Sequence, residues 1–170
     1  MKKNILLTAL AFIILSASAV TAEKLRIGVY DSRMIAVWHF NSSEYQKEMQ
    51  DMRTSYDKAK QDKDYDKIKE LEEKGPLTQR ILHDKGFGRG STATIIEKKR
   101  DELETLVKNE NLVAVVSKWE LNYSNPDIEI VDVTLNLLGI LKAPEHLIKM
   151  YDEMKKQPPV EDAFFLDPAK

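Results

Sequence analysis

The sequence GFGRGS at residues 86–91 is the first stretch whose residue types could bind a ligand. Glycine-rich loops that open a helix hold phosphate with backbone N–H groups, but they follow a strand and carry a lysine before Ser or Thr. Here the preceding LTQRILHDK is typical of a helix, and no lysine precedes Ser91. We therefore predict a connection between two helices, with Gly86 as a left-handed C-cap and Ser91 or Thr92 as the next N-cap. Anion binding through Arg89 is the alternative.

Charged side chains follow two predicted strands, KLRIGVYD at 24–31 and LVAVVSKW at 112–119. A helical crossover joins these strands, so segments 25–31 and 112–118 are predicted to lie side by side and parallel. Ligands bind at the carboxyl ends of strands in open α/β sheets. The favoured interpretation is an ion-pair network that satisfies the strand ends. The alternative is a small-ligand or catalytic site formed by Asp31, Arg33, Lys118 and Glu120.

Metal, cofactor and thiol chemistry lack a suitable set of residues. The chain has no cysteine, and its three histidines, His39, His83 and His146, lie in separate segments without metal-ligand spacing. We expect no catalytic residue, no metal and no cofactor.

Aromatic residues are the candidates for contact with a protein partner. Trp119 lies among charged residues and either covers the core or forms a subunit contact, where tryptophan is enriched. A surface that binds a protein partner needs further exposed apolar residues. The candidate partner-binding set is Trp38, Phe40, Phe87, Arg89 and Trp119.

A heptad pattern predicts the helices between these segments. Apolar residues recur at spacings of 4, 3, 4 and 3 in the seam formed by Tyr45, Met49, Met52, Tyr56 and Ala59. Residues 60–64 are charged or polar, and apolar positions resume at Tyr65. The pattern indicates an antiparallel helical hairpin with its tip at 60–64 and legs of about 18–20 residues, each about 30 Å long. Gly75-Pro76 is predicted to kink or break the second leg.

The hairpin leaves two questions open. The seam is predicted to be the interface between the two legs. The alternative is that its methionines, which adapt to ligands of different shapes, bind a protein partner. GFGRGS lies at the base of this arm if the tip is at 60–64. If residues 43–84 form one helix instead, the same loop is the tip of the arm.

The remaining elements follow from local signals. Ser32 is predicted to cap a short helix. Asn41-Ser42-Ser43 is predicted to supply the N-cap of a second one, with Gln46 three residues after Ser43 as in a capping box. A single helix is predicted over 92–109, and the strand at 112–119 is expected to run on into ELNYS, before the turn at Asn125-Pro126. IEIVDVT leads into the helix LNLLGIL, Pro144 starts a last helix, and the tail from Gln157 is expected to be extended.

Composition indicates an exported protein. Lys2 and Lys3 precede an apolar run at 5–15, with cleavage expected after Ala22 or Ala19, which is typical of a secretory signal peptide. Eleven apolar residues are too few for a membrane span, which needs about 20. Removal of residues 1–22 leaves 24 basic and 28 acidic residues, a net charge of −4. No basic excess points to nucleic acid or anionic lipid.

A motif near the carboxyl end resembles a known family. Val115-Val116-Ser117-Lys118 precedes Leu121-Asn122-Tyr123-Ser124, Asp127-Ile128 and Asp132-Val133-Thr134. The OmpH/Skp-like family of exported chaperones has a valine pair, an Asp-Lys-like turn, a hydrophobic-x-Tyr pair, then Asp-Ile and Asp-Ile-Thr before its last helix. Ser117 replaces the Asp, and two residues are inserted before Asp132. IGVYDSRMI is similar to the first strand and short helix of the family.

The resemblance implies a periplasmic trimer in which three helical arms project from a small β-body and enclose unfolded outer-membrane proteins. Three features depart from the family: short arms, an acidic mature chain, and the interruption at GFGRGS. The resemblance implies an α+β fold with a small β-sheet body and a projecting antiparallel helical hairpin. The expected organisation is a signal peptide at 1–22, an OmpH/Skp-like domain at 23–143 with its arm at about 42–85, and a C-terminal helix and tail at 144–170. The expected function is that of a non-enzymatic, homo-oligomeric chaperone or scaffold.

Overall fold

The structure is a computed structural model that describes residues 24–158. The predicted signal peptide and residues 159–170 of the predicted tail lie outside the described residues. Within 24–158 the chain forms a mixed fold of seven helices and three strands, in agreement with the predicted α+β class. In chain order the elements are β1 (Arg26–Tyr30), α1 (Ser32–Asn41), α2 (Ser43–Asp62), α3 (Tyr65–Gly86), α4 (Ala93–Glu97), α5 (Arg100–Asn109), β2 (Leu112–Ser117), β3 (Glu129–Asp132), α6 (Thr134–Ile140) and α7 (Glu145–Met154).

The three strands form one parallel sheet in the order β2-β1-β3. Gly28 in the centre of β1 pairs with Val115 on one side and Val131 on the other. Valine and isoleucine suit a pleated, half-buried surface, which is why these short segments form strands. The predicted parallel pairing of β1 with β2 is confirmed. The pairing of β3 with the opposite side of β1 was not predicted, and it brings the ends of all three strands to one edge.

Helices α1, α6 and α7 supply most of the large side chains that are fully buried in the core. The largest side chains that are fully buried include Met34 and Ile35 of α1, Leu137 and Leu138 of α6, and Leu147 of α7. Each such side chain contributes about 1.5–3 kcal/mol of burial free energy. The first turns of α1 are therefore held firmly at the end of β1, where the polar residues of the site begin.

Helices α2 and α3 fold back on each other, and we refer to residues 43–86 as the arm. The chain reverses at Lys63, which has a left-handed backbone (φ 56°), and at Asp64, whose carboxylate accepts a hydrogen bond from the Lys67 backbone N–H. The hydroxyl of Tyr56 donates to Glu72 across the two helices at 2.8 Å. The reversal lies in the segment predicted from the charged residues 60–64.

One predicted helix cap is wrong by one residue, and the other lies within the predicted stretch. Asp31, not Ser32, caps α1 by accepting from the Arg33 backbone N–H, and the Ser32 hydroxyl oxygen is buried without a hydrogen-bond partner. Within the predicted stretch Asn41-Ser42-Ser43, Ser42 caps α2 by accepting from the Tyr45 N–H, so the capping box of Ser43 with Gln46 is absent. In both cases an extended residue immediately upstream brings its side-chain oxygen to the free N–H groups of the first turn.

Three predicted boundaries also change. Helix α3 continues through Gly75 and Pro76 to Gly86, so the predicted break of the second leg is wrong. The single helix predicted over 92–109 is two helices, because Lys99 leaves the helical conformation (φ −121°, ψ 37°). β2 ends at Ser117 and does not extend into ELNYS. Within residues 24–158, none of the helices combines the length and the apolar character that a bilayer crossing requires.

Candidate functional site

The carboxyl ends of the three strands bring together the polar residues that the sequence singled out. Asp31 follows β1, and Lys118 and Trp119 follow β2. The Lys118 N–H donates to the Tyr30 carbonyl at 2.9 Å, which continues the strand pairing to the edge of the sheet. We refer to Asp31, Arg33, Lys118 and Trp119 as the strand-end cluster.

Asp31 is the centre of this cluster and is fully buried (0% exposed). Its Oδ1 accepts from the Arg33 backbone N–H at 3.1 Å, from Arg33 Nε at 2.9 Å and from Trp119 Nε1 at 3.1 Å. Its Oδ2 lies 2.7 Å from both Arg33 Nη2 and Lys118 Nζ. Burial alone would raise the pKa of Asp31, but the hydrogen bonds from Arg33, Lys118 and Trp119 outweigh it and lower the pKa.

Trp119 is positioned by the same charges. The Arg33 guanidinium carbon lies 4.6 Å from the centre of the Trp119 ring, and Lys118 Nζ lies 4.4 Å from it. Such cation–π contacts are worth about 0.5–2 kcal/mol, depending on desolvation. The Trp119 backbone N–H also donates to the Ser117 hydroxyl at 3.3 Å. The ring, its N–H and its backbone are therefore all held.

A second polar group adjoins the cluster from β3 and α7. The Asp31 N–H donates to the Thr134 hydroxyl at 2.9 Å, and the Asp132 carboxylate accepts from the Thr134 N–H and from the Tyr151 hydroxyl. Burial would raise the pKa of Asp132, but the Thr134 and Tyr151 hydrogen bonds lower it. Burial, together with the bond to Asp132, raises the pKa of Tyr151 to about 12.

The cluster also holds the end of the last helix. Arg33 Nη2 donates to the Met154 carbonyl at 2.8 Å, and Arg33 Nη1 donates to the Pro158 carbonyl at 3.2 Å. Carbonyl groups at a helix C-terminus have no partner within the helix, so a buried arginine satisfies them well. No pattern in the sequence indicated the bond of Tyr151 to Asp132 or that of Arg33 to Met154, because these partners lie 19 and 121 residues apart along the chain.

Three of the four residues proposed as an alternative polar site meet, and they bind one another. Asp31, Arg33 and Lys118 form ion pairs, whereas Glu120 is exposed and has no ion pair to the other three. Both oxygens of Asp31 already accept hydrogen bonds, so this carboxylate has no lone pair free to act as a general base. The geometry matches the ion-pair network and gives no support to a ligand or catalytic site here.

The residues proposed for partner binding are distributed around the base of the arm. Trp38 is half-buried against the core, and Phe40 contacts the rings of His39 and Tyr45. Phe87 is half-buried and its ring makes an edge contact with the ring of His83, and exposed Arg89 lies 3.4 Å from the Asp84 carboxylate. Only Trp119 of this set belongs to the strand-end cluster.

The GFGRGS loop joins the arm to the body. Helix α3 ends at Gly86, but the left-handed residue is Gly88 (φ 80°), so the prediction of a left-handed cap at Gly86 is wrong. The Ser91 hydroxyl accepts from the Ala93 N–H at 3.2 Å, and Thr92 occupies the N-cap position without a side-chain cap. The loop follows a helix, not a strand, and therefore lacks the setting of a phosphate-binding loop.

No group of three or more His, Cys, Asp or Glu residues within 24–158 is arranged to hold a metal ion. Comparisons with protein-family models, with curated proteins and with solved structures gave no match. The resemblance to the OmpH/Skp-like family therefore rests on the motif at 115–134 and on the order of the elements.

Proposed function

We propose that the chain is an exported, non-enzymatic chaperone-like or scaffold protein of the OmpH/Skp type, which binds unfolded or envelope proteins in the periplasm. The observation that carries this proposal is the small number of buried side chains in the arm. Its helices of 20 and 22 residues bury only Ala59 and Leu71. Most helices in a folded domain bury an apolar face against a core, and a long helix pair that does not is suited to contact with a partner.

Exposed apolar side chains on the arm support client binding. Tyr65, Leu77 and Ile81 of α3 are 74%, 58% and 46% exposed. A groove of about 310 Å³ between the two helices is lined by Met52, Arg53, Tyr56, Leu71, Glu72, Gly75 and Pro76. Methionine adapts to ligands of different shapes, and a small apolar groove accepts single side chains of an unfolded polypeptide. Outer-membrane proteins are the clients that the resemblance implies.

The outer face of the sheet supports a homo-oligomer, which the resemblance would make a trimer. Gly28 faces the core, so its neighbour Ile27 points to the opposite face, where it pairs with Ala114 and Ile130. Ile130 and Leu25 are 41% and 58% exposed. β2 and β3 are the two edges of the sheet, and such edges readily pair with another chain.

Suppression of aggregation tests the client-binding proposal. An unfolded porin is diluted from urea with an excess of the mature protein, and light scattering follows aggregation. We expect wild type to delay aggregation, and the double variant Leu77→Gln, Ile81→Gln to lose most of that effect. Leu135→Gln, at an exposed leucine of α6, is the matched control and should act like wild type. A wild type without effect at excess would refute the holdase proposal.

Multi-angle light scattering of the mature protein tests the oligomer. We expect a trimer at micromolar concentration and a monomer for Ile130→Lys, because a charge on the outer face cannot be buried without a partner. Ile148→Lys, at an exposed position of α7, should remain a trimer. A wild-type monomer at this concentration would refute the trimer while leaving the aggregation assay to decide client binding.

A further inference from the structure

The arm meets the body through a close contact between Gly88 and Trp119. A Cβ atom at Gly88 would lie 2.8 Å from Trp119 Cδ1, and the residue is also left-handed. The loop around it is tightly wound, because the Arg89 and Gly90 N–H groups both donate to the Asp84 carbonyl, at 2.8 and 2.9 Å. The end of α3 therefore rests directly on the indole ring, without room for a side chain between them.

Trp119 transmits this contact to a buried charge. Its indole N–H donates to Asp31, and Asp31 in turn binds the Arg33 guanidinium through Nε and Nη2. Arg33 uses its remaining donors on the carbonyl of Met154, the last residue of α7, and on the carbonyl of Pro158 beyond that helix. An unbroken series of hydrogen bonds and packing contacts thus leads from the base of the arm to the end of α7.

We infer that Gly88, Trp119 and Asp31 form a joint that couples the orientation of the arm to the attachment of the end of α7. Movement of the arm displaces Gly88 from the indole ring, and a displaced Trp119 no longer donates to Asp31. Asp31 then holds Arg33 less firmly, and the Met154 and Pro158 carbonyls lose their donor. Such coupling is reciprocal, so release of the end of α7 also loosens the arm. The coupling does not depend on which partner the arm binds.

The test uses a matched pair of glycine substitutions. Gly88→Ala places a methyl group against Trp119, whereas Gly75→Ala, in the middle of α3, places one where nothing lies within 4 Å. The chain has no cysteine, so Gln61→Cys near the arm tip and Asn109→Cys in the body can carry two spin labels for distance measurement. Hydrogen exchange at residues 151–157 reports the end of α7, with the Tyr30 amide as an internal reference for global unfolding.

We expect Gly88→Ala to shift the distance distribution and to accelerate exchange at 151–157 by about five-fold or more. Exchange at Tyr30 should be unchanged in Gly88→Ala, and Gly75→Ala should neither shift the distance distribution nor accelerate exchange at 151–157. A Gly88→Ala protein whose arm moves while exchange at 151–157 stays at the wild-type rate would overturn the coupling. An unchanged distance distribution would overturn the joint itself.

A second pair of variants keeps the inference testable if Gly88→Ala does not fold. Trp119→Phe keeps an aromatic ring but removes the donor to Asp31, and it should accelerate exchange at 151–157. Arg33→Lys loses both carbonyl bonds and tests the reverse direction. It should broaden the distance distribution of the arm, and an unchanged distribution would contradict reciprocity.

Discussion

Asp31 in the strand-end cluster and Glu72 in the arm are both carboxylates that accept hydrogen bonds, but their surroundings differ. Asp31 is fully buried and accepts from five donor groups of Arg33, Lys118 and Trp119. Glu72 is exposed and accepts from the Tyr56 hydroxyl. A charged group that is buried away from water must be paired and hydrogen-bonded, or its burial costs free energy. An exposed charged group stays hydrated, and its contacts contribute little to stability.

The difference separates two tasks. The body concentrates its polar contacts where three strands and two helices meet, so a change there affects several elements together. The arm spreads its charges along two helices and leaves Leu77 and Ile81 exposed, so a change there should alter binding more than folding. Substitutions at matched positions in the body and the arm test this difference.

The largest effect is expected from Asp31→Asn. The substitution removes the negative charge that pairs with the buried Arg33 and the half-buried Lys118. Loss of one partner of a buried ion pair costs about 3–5 kcal/mol. Urea unfolding followed by circular dichroism measures the loss. Glu120→Gln, which changes an exposed carboxylate outside the cluster, should stay within about 0.5 kcal/mol of wild type. A similar stability for the two variants would mean that the cluster does not organise the body.

A smaller effect is expected from truncation of a core leucine. Leu138 is fully buried in α6, and Leu138→Ala should cost about 2–5 kcal/mol through lost burial and the cavity it leaves. Leu77→Ala in the arm removes the same atoms from a side chain that is 58% exposed and should cost about 0.5 kcal/mol or less. The same urea titration compares them, and a large loss for Leu77→Ala would show that the arm contributes to the core.

Acid should weaken the body through Asp31 and Asp132. The hydrogen bonds that overcome burial lower the pKa of both in the folded state. Their contribution is therefore complete above the unfolded pKa of about 3.9, and it is lost as pH falls through the lower folded pKa. The urea concentration at the unfolding midpoint, measured from pH 7 to pH 2, should decrease once the pH is below about 4.

Asp132→Asn isolates one part of this pH dependence. We expect the variant to be less stable at pH 7 and to lose less of its stability below about pH 4, because it lacks one carboxylate that must be protonated. Tyr151→Phe, which removes the donor to Asp132, should flatten the curve in the same direction. A curve for Asp132→Asn that runs parallel to wild type in acid would assign the effect to other carboxylates.

The sequence allowed prediction of features that depend on local patterns or on strand direction. The pairing of β1 with β2 follows from a helical crossover, and that pairing brings Asp31 and Arg33 to Lys118. The reversal of the arm follows from a run of charged residues between two apolar patterns. The cap at Asp31 was missed by one residue, since several neighbouring oxygens can serve and only the backbone geometry selects one.

Long-range contacts could not be predicted in the same way. Tyr151 reaches Asp132 only because α7 packs against α1, and Arg33 reaches Met154 for the same reason. Neither residue belongs to a spacing pattern that would indicate its partner. The continuation of α3 through Pro76 was missed as well, because an interior proline removes one backbone hydrogen bond and usually kinks or breaks a helix, whereas α3 runs on to Gly86.

The smallest effect, and the one of opposite sign, is expected from Gly75→Ala. Gly75 lies inside α3, and a methyl group there would meet no atom within 4 Å. Glycine costs a helix about 0.8–1.0 kcal/mol relative to alanine, so the variant should be more stable by about that amount if the arm unfolds together with the body. Urea unfolding with separate probes in arm and body measures this. An unchanged unfolding midpoint of the body with a stabilised arm would show that the two regions unfold independently. Arm and body would then differ in their cooperative unfolding as well as in their polar contacts.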